Sequence, residues 1–278
     1  MTLLKEKEKK LQAILSHYQK VVVSFSGGID STLALKESLD TLGKENVLAV
    51  VADSEFFADD EYEEALQLAE EMGARVMGVQ LDYLADEHIK NNQPDSWYYM
   101  KKIFYTKLTE IAEEFGANAV VDGIIMDDDA DFRPGLRARN EAGAVSILQQ
   151  ATLYKDEVRQ LAQLLGLKNW NKAPSCSVSS RFPYNTKLTS KKLRQVLAAE
   201  KYLKELGFPT VRVRVHKKLA RIEVPEEAIA QVVAQRAAIT KKLSELGYDY
   251  ISVDLDGFIS GRMNQTLSEE EKSTILAG

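Results

Sequence analysis

The stretch Val21-Val22-Val23-Ser24-Phe25-Ser26-Gly27-Gly28-Ile29-Asp30-Ser31-Thr32 decides the fold. A β-branched run ends in small polar residues and two glycines, and residues 31–42 then carry an apolar pattern of helical spacing. β-Branched residues favour strands. A glycine pair lets the backbone approach a ligand closely, and the helix that follows presents free N–H groups to an anion. The unit therefore predicts a phosphate cradle, to which Ser26, Ser31 and Thr32 add hydroxyls. It is not a Walker loop, because no Gly-Lys-Ser/Thr is present, and its glycine spacing is not the dinucleotide fingerprint. The plain alternative is a tight strand-to-helix turn with ordinary caps.

Outward from this stretch the pattern repeats. Val47 to Val51 reads as a second strand, 59–72 as a helix, Arg75 to Val79 as a third strand, Asp95 to Phe115 as a long helix and Ala119 to Val121 as a fourth strand. Continuous apolar strands separated by helices predict an α/β fold with a parallel sheet and helices on both faces. After about residue 182 the texture changes. Thr189 to Leu206 predicts a helix capped by Thr189 or Ser190, and Val211 to Val215 alternates as a half-buried strand does. Leu219 to Val224 is its expected antiparallel partner, Pro225 opens a helix to about Leu246, and Tyr248 to Leu255 is a last strand. We expect one α/β domain over 1–183 and a small C-terminal α+β domain over 184–278, with the boundary in the turn-rich Arg181–Lys187.

The chain has 278 residues and a formal net charge of 36 − 42 = −6. This acidic balance argues against a broad nucleic-acid binder. No run of ~18 apolar residues predicts a membrane span. The Lys/Glu-rich start lacks the apolar core of a secretory signal, so a cytoplasmic location is expected. Cys176 is the only cysteine and the three histidines are scattered. An internal disulfide, a Cys-x-x-Cys site and a three-cysteine iron–sulfur cluster within one chain are thereby excluded. Any metal is expected to be magnesium carried by phosphates and carboxylates.

Six sets of residues carry candidate chemistry. Cys176 sits among small polar residues with Arg181 following, and a thiolate near a guanidinium is a better nucleophile at neutral pH. A small buried hydrophobe is its plain alternative. Arg212 and Arg214 share one face of their strand and suit a phosphate or carboxylate clamp. Glu200 falls inside the apolar stripe of Leu193, Val196, Leu197 and Leu203, where a carboxylate needs a partner or a function. Asp122-Gly123 ends a strand, and Asp127, Asp128, Asp129 and Asp131 follow. Acids there suit magnesium, or simply form a solvated loop. Arg133 and Arg137 are candidate phosphate or subunit contacts, and Trp97 opens a helix otherwise packed by Ile103, Phe104 and Leu108.

Ser26-Gly27-Gly28-Ile29-Asp30-Ser31 resembles the PP-loop of the ATP pyrophosphatases. Cys176-Ser177-Val178-Ser179-Ser180-Arg181-Phe182-Pro183-Tyr184 resembles the cysteine signature of LarE-type sulfur transferases, which serve nickel-pincer cofactor synthesis. The likeness runs along the chain through Pro94 to Tyr99, Arg133-Pro134-Gly135-Leu136, Asn169-Trp170-Asn171-Lys172 and Gly207 to Arg214. It implies ATP and Mg2+ as cofactors. Ser24, Ser26, Gly27, Gly28, Asp30, Ser31, Asp53 and Gly123 would lie at the nucleotide, with Asp30 and Asp122 at the metal. It also implies a pyridinium dicarboxylate mononucleotide substrate at Trp97, Ser180, Arg212 and Arg214, with Cys176, Arg181 and Glu200 catalytic and Glu200 a candidate base.

Some members of that family carry three clustered cysteines. The single Cys176 here implies the sacrificial chemistry, in which Cys176 gives up its sulfur in one turnover and becomes dehydroalanine. A homohexamer is the assembly the resemblance implies. Gln231 stands where an acid is expected in close relatives. Three other readings stay open: a PP-loop tRNA sulfur transferase, whose basic face and paired cysteines are missing; an amide-forming PP-loop ligase; and a nucleotide-binding module without chemistry.

Overall fold

The computed structural model describes residues 3–130, 132–172, 176–259 and 261–277, without the side chains of Asp129 and Ala130. Asp131 and the Ala173–Ser175 part of the cysteine stretch lie outside the described residues. The chain divides into two compact units. The first comprises Met1–Ser54, Ala58–Asp82 and Trp97–Ser175, and the second Glu55–Phe57, Tyr83–Ser96 and Cys176–Gly278.

The first unit is built on five parallel strands: β1 (Val21–Ser24), β2 (Val47–Asp53), β3 (Arg75–Gln80), β4 (Ala119–Asp122) and β5 (Val145–Ser146), in the order β3-β2-β1-β4-β5. Val23 pairs with Ala49 on one side and Val121 on the other. Val21, Val22 and Val23 are all wholly buried. Successive strand residues face opposite sides, so both faces of β1 are covered, which is why its sequence is continuous rather than alternating. The helix Ile29–Leu42 leaves β1 and packs on the helices Leu3–Leu15 and Lys155–Leu164. Strand order reverses around β1, so a crevice for a ligand opens beyond the carboxyl ends of β1 and β4. β5 has two residues, too few to show a period in sequence.

The second unit holds β6 (Arg212–His216), β7 (Leu219–Glu223) and β8 (Tyr250–Val253). β6 and β7 are antiparallel in the expected hairpin, while β8 runs parallel to β7. A parallel neighbour requires a crossover, here helices Ile229–Ala234 and Arg236–Glu245. The single expected helix is thus two, separated at Gln235 (φ −93°, ψ 11°). Thr189 caps Ser190–Glu205 by accepting the Lys192 N–H at 3.3 Å.

The sequence reading cuts the chain after residue 183. In the structure Cys176–Pro183 belongs to the second unit together with Glu55–Phe57 and Tyr83–Ser96. Backbone bonds explain the grouping: Val178 N–H donates to Phe56 O at 2.9 Å and Leu188 N–H to Lys90 O at 2.7 Å.

Candidate active site

The phosphate loop is shaped by its own hydroxyls. Ser26 N–H donates to Ser31 Oγ at 3.2 Å, and the two serine Oγ atoms are 3.1 Å apart. Ser31 Oγ and Thr32 Oγ1 both donate to Gly28 O, at 3.0 and 2.9 Å. Gly27 has φ +67°, the left-handed region open to glycine, and a Cβ there would stand 3.0 Å from Ala65 Cβ. Gly123 brings the end of β4 against the same loop. A Cβ on it would lie 2.6 Å from Ser31 N and 2.8 Å from Asp30 C. The structure therefore brings Ser26, Gly27, Gly28, Asp30, Ser31 and Gly123 together, with Ser24 and Asp53 ending adjacent strands.

Two contacts of this loop escape sequence reasoning. Lys155 Nζ donates to both Asp30 oxygens at 2.6 and 2.8 Å, across 125 residues of chain. Asn169 Nδ2 donates to Gly27 O at 3.1 Å and Thr32 Oγ1 at 2.9 Å. Asn169 stands in a quoted motif, but Lys155 has no local pattern to mark it. Lys101, placed among Asp122, Asp128 and Arg133, is held below its ordinary pKa by burial.

Asp122 does not fit the metal role expected of it. It is 3% exposed. One oxygen accepts Ser146 Oγ–H at 2.5 Å and Ile124 N–H at 3.1 Å, and the other Tyr105 O–H at 2.9 Å and Arg139 Nε at 3.2 Å. Arg139 also bonds Ser146, closing the network. These donors leave no lone pair facing the loop for a cation. Burial, and then Asp122, raise the Tyr105 pKa well above its ordinary value, so the phenol stays a donor. Asp30 does fit: its carboxylate is part-exposed, and its cation partner is a side chain that phosphates can attract away. No cluster of three His, Cys, Asp or Glu suited to a metal occurs among the described residues. Any magnesium here draws most of its oxygen ligands from phosphates, as that ion commonly does.

In the second unit Cys176 is exposed and its Sγ–H donates to Ser180 Oγ at 3.8 Å. Ser180 Oγ donates to Ser177 O at 2.9 Å and accepts Arg181 Nη1 at 2.6 Å. Arg181 is buried and paired in a fork with Glu200, through Nε at 2.8 Å and Nη2 at 3.1 Å. Glu200 Oε1 also accepts Val213 N–H at 2.9 Å. Glu200, 5% exposed, is thus committed on both oxygens. In this structure Glu200 orients Arg181 and ties β6 to its helix.

Arg212 and Arg214 occupy one face of β6, half-buried, while Val213 and Val215 are buried. Arg212 lies over the Phe258 ring at 5.5 Å, and burial, then Arg181, lower its pKa. Arg214 donates to Glu223 at 2.9 Å and to Ser180 O at 2.6 Å. It also lines a cavity of about 250 Å³ with Ser180, Arg181, Tyr184, His216, Arg221 and Arg262. Burial, and then Cys176, push the Tyr184 phenol up to about 12. Trp97, at the start of Ser96–Phe115, belongs to the first unit.

The NAD synthase family model matches residues 4–205. The chain is 57% identical over 274 residues to the pyridinium-3,5-bisthiocarboxylic acid mononucleotide synthase of Lactiplantibacillus plantarum, with 99% of each chain covered. It is 36% identical over 269 residues to an uncharacterised Synechocystis protein, covering 96% of this chain and all of that one. An NH(3)-dependent NAD(+) synthetase of Pyrobaculum aerophilum is 28% identical over 162 residues, 56% of this chain and 59% of its own. The phosphate loop on a parallel sheet and the matches along nearly the whole chain agree: this protein belongs to the LarE-type family of pyridinium-3,5-bisthiocarboxylic acid mononucleotide synthases, within the PP-loop enzymes.

Proposed function

We propose that this chain inserts sulfur into pyridinium-3,5-biscarboxylic acid mononucleotide, using ATP for activation and Cys176 as the sulfur source. The carrying observation is the chain's lone cysteine, exposed and bonded to a serine that a buried arginine holds. The relative of that name supports the substrate.

The phosphate loop receives the pyrophosphate part of ATP on Ser26, Gly27, Gly28 and Ser31, and Lys155 turns from Asp30 to the phosphates. Magnesium, held by Asp30 and the phosphates, would neutralise their charge. Asp53 and Ser24, at the ends of strands beside the loop, are assigned to the nucleotide. Arg212 and Arg214 receive the substrate phosphate. The arginine-lined cavity is smaller than a whole-ligand pocket, ~300–1,000 Å³, and suits one anionic end of a substrate.

A substrate carboxylate attacks the α-phosphate, and pyrophosphate leaves. The Cys176 thiolate then attacks the acyl carbon, AMP leaves, and a thioester forms. Removal of the Cys176 Cα proton breaks the Cβ–S bond. The electron pair goes to sulfur, leaving a thiocarboxylate on the substrate and dehydroalanine at 176.

Intact mass before and after incubation with ATP, magnesium and the dicarboxylate tests this. A loss of ~34 Da at Cys176, the mass of H₂S, is expected for each sulfur transferred. Product formed at unchanged mass refutes Cys176 as the source. Cys176→Ala should keep pyrophosphate release and lose sulfur transfer, whereas retained turnover would favour an amide-forming ligase.

A further inference from the structure

The turn that follows Cys176 is held from behind by Asn92. This residue is fully buried and stands at φ +49°, in the left-handed region that non-glycine residues seldom enter. Its Nδ2 reaches three carbonyl oxygens of one turn: Ser179 at 3.5 Å, Phe182 at 3.2 Å and Pro183 at 3.1 Å. Its own carbonyl accepts the Asn185 N–H at 3.0 Å. Its Oδ1 is buried and accepts nothing among the described residues. Glycine would satisfy the backbone, and an apolar residue would avoid the unpaired oxygen. Only a short amide supplies two hydrogens aimed at that turn. Arg181 Nη1 takes Ser177 O at 3.3 Å and Arg214 Nη1 takes Ser180 O. Five carbonyls between Ser177 and Pro183 are therefore fixed by side chains, three of them by Asn92.

We propose that Asn92 is a positioning residue for sulfur transfer. It sets the Ser179–Pro183 turn so that Ser180, held by Arg181, meets Cys176 Sγ. This rests on Cys176 as the sulfur donor. Asn92 and the turn lie in the same unit, so the argument stays within one body. A fully buried side chain that keeps one unpaired acceptor while its amide hydrogens serve one turn marks a position fixed for geometry rather than for stability.

The test compares Asn92→Gly, which relieves the backbone and removes the amide, with the near-isosteric Asn92→Asp, which turns acceptors toward the three carbonyls. Three readouts are taken on the full chain: pyrophosphate release, sulfur transfer, and the rate of Cys176 alkylation by iodoacetamide. Both variants should retain pyrophosphate release and change the alkylation rate. Sulfur transfer should fall about 100-fold, the effect of misplacing a reacting group by about 1 Å. Unchanged alkylation and sulfur transfer in Asn92→Gly would overturn the proposal. So would parallel loss of pyrophosphate release, or unfolding of both variants, since either makes Asn92 a general structural residue. Altered alkylation beside a wild-type chain that never loses sulfur would instead defeat the donor reading and leave the positioning of Cys176 standing.

Discussion

Glu37 gives the first unit a measurable pH dependence. It lies on Ile29–Leu42 where that helix packs on Leu3–Leu15, and it is 1% exposed. Gln12 Nε2 donates to one of its oxygens at 3.2 Å, and the other accepts nothing among the described residues. Burial raises its pKa from 4.5 to about 7, with Glu8 and Asp40 adding to the rise and Gln12 and Lys36 opposing it. Below pH 4.5 the carboxyl is protonated folded and unfolded, and stability does not depend on it. Between 4.5 and about 7 the folded state binds the extra proton, so stability falls as pH rises, and the loss is complete above about 7. At 1.36 kcal/mol per unit the full loss is ~3 kcal/mol. Glu37→Gln keeps the shape and cannot ionise. In urea titrations followed by circular dichroism it should match the parent at pH 4.5 and exceed it by ~2–3 kcal/mol at pH 8. A difference equal at both pH values, or a variant weaker at pH 8, would refute a buried carboxyl that folds protonated.

Three other outcomes follow from single contacts. Gly123→Ala puts a Cβ 2.6 Å from Ser31 N, so pyrophosphate release should drop about 100-fold while Cys176 alkylation is unchanged. Lys155→Met should weaken Mg·ATP binding about tenfold by calorimetry, with partial recovery in Lys155→Arg, because the amine that bonds Asp30 is the proposed phosphate contact. Unaltered affinity would make it a structural ion pair. Glu200→Gln leaves the buried Arg181 half-paired and should cost ~3 kcal/mol of stability while sulfur transfer persists at a reduced rate. Complete loss of transfer at full stability would restore Glu200 as the base.

The phosphate loop was legible because everything that makes it is local: a β-branched strand, two glycines and a helix start within twelve residues. The parallel sheet followed from unbroken apolar strands. Glu200 was legible as a buried carboxylate that needed a partner, and its partner Arg181 lies only 19 residues away. That both of its oxygens accept hydrogen bonds was not legible, because no spacing shows it. The donors around Asp122 were hidden for the same reason. An acid at a strand end suits a metal, yet Tyr105, Arg139 and Ser146 converge on it from three separate elements. Lys155 and Asn92 act across 125 and about 90 residues, where periodicity carries no information.

The division into units differs from the boundary expected after residue 183, and the difference has a useful consequence. A turn-rich stretch such as Phe182-Pro183-Tyr184-Asn185 marks a change of texture, not the point where contacts change partner. The cysteine turn takes its backbone partners from Phe56 and Asn92, inside two short segments that leave and rejoin the first unit's chain. The phosphate loop takes its partners from Ala65, Gly123, Lys155 and Asn169, all within the first unit. Each half of the proposed reaction is therefore preorganised by contacts within its own unit. Substitutions with no shared partner usually act additively. Gly123→Ala should then slow adenylation with the thiol intact, and Asn92→Gly should disturb the thiol with adenylation intact. A double variant whose two half-reactions differ from those of the parent single variants would show that one unit shapes the other's site.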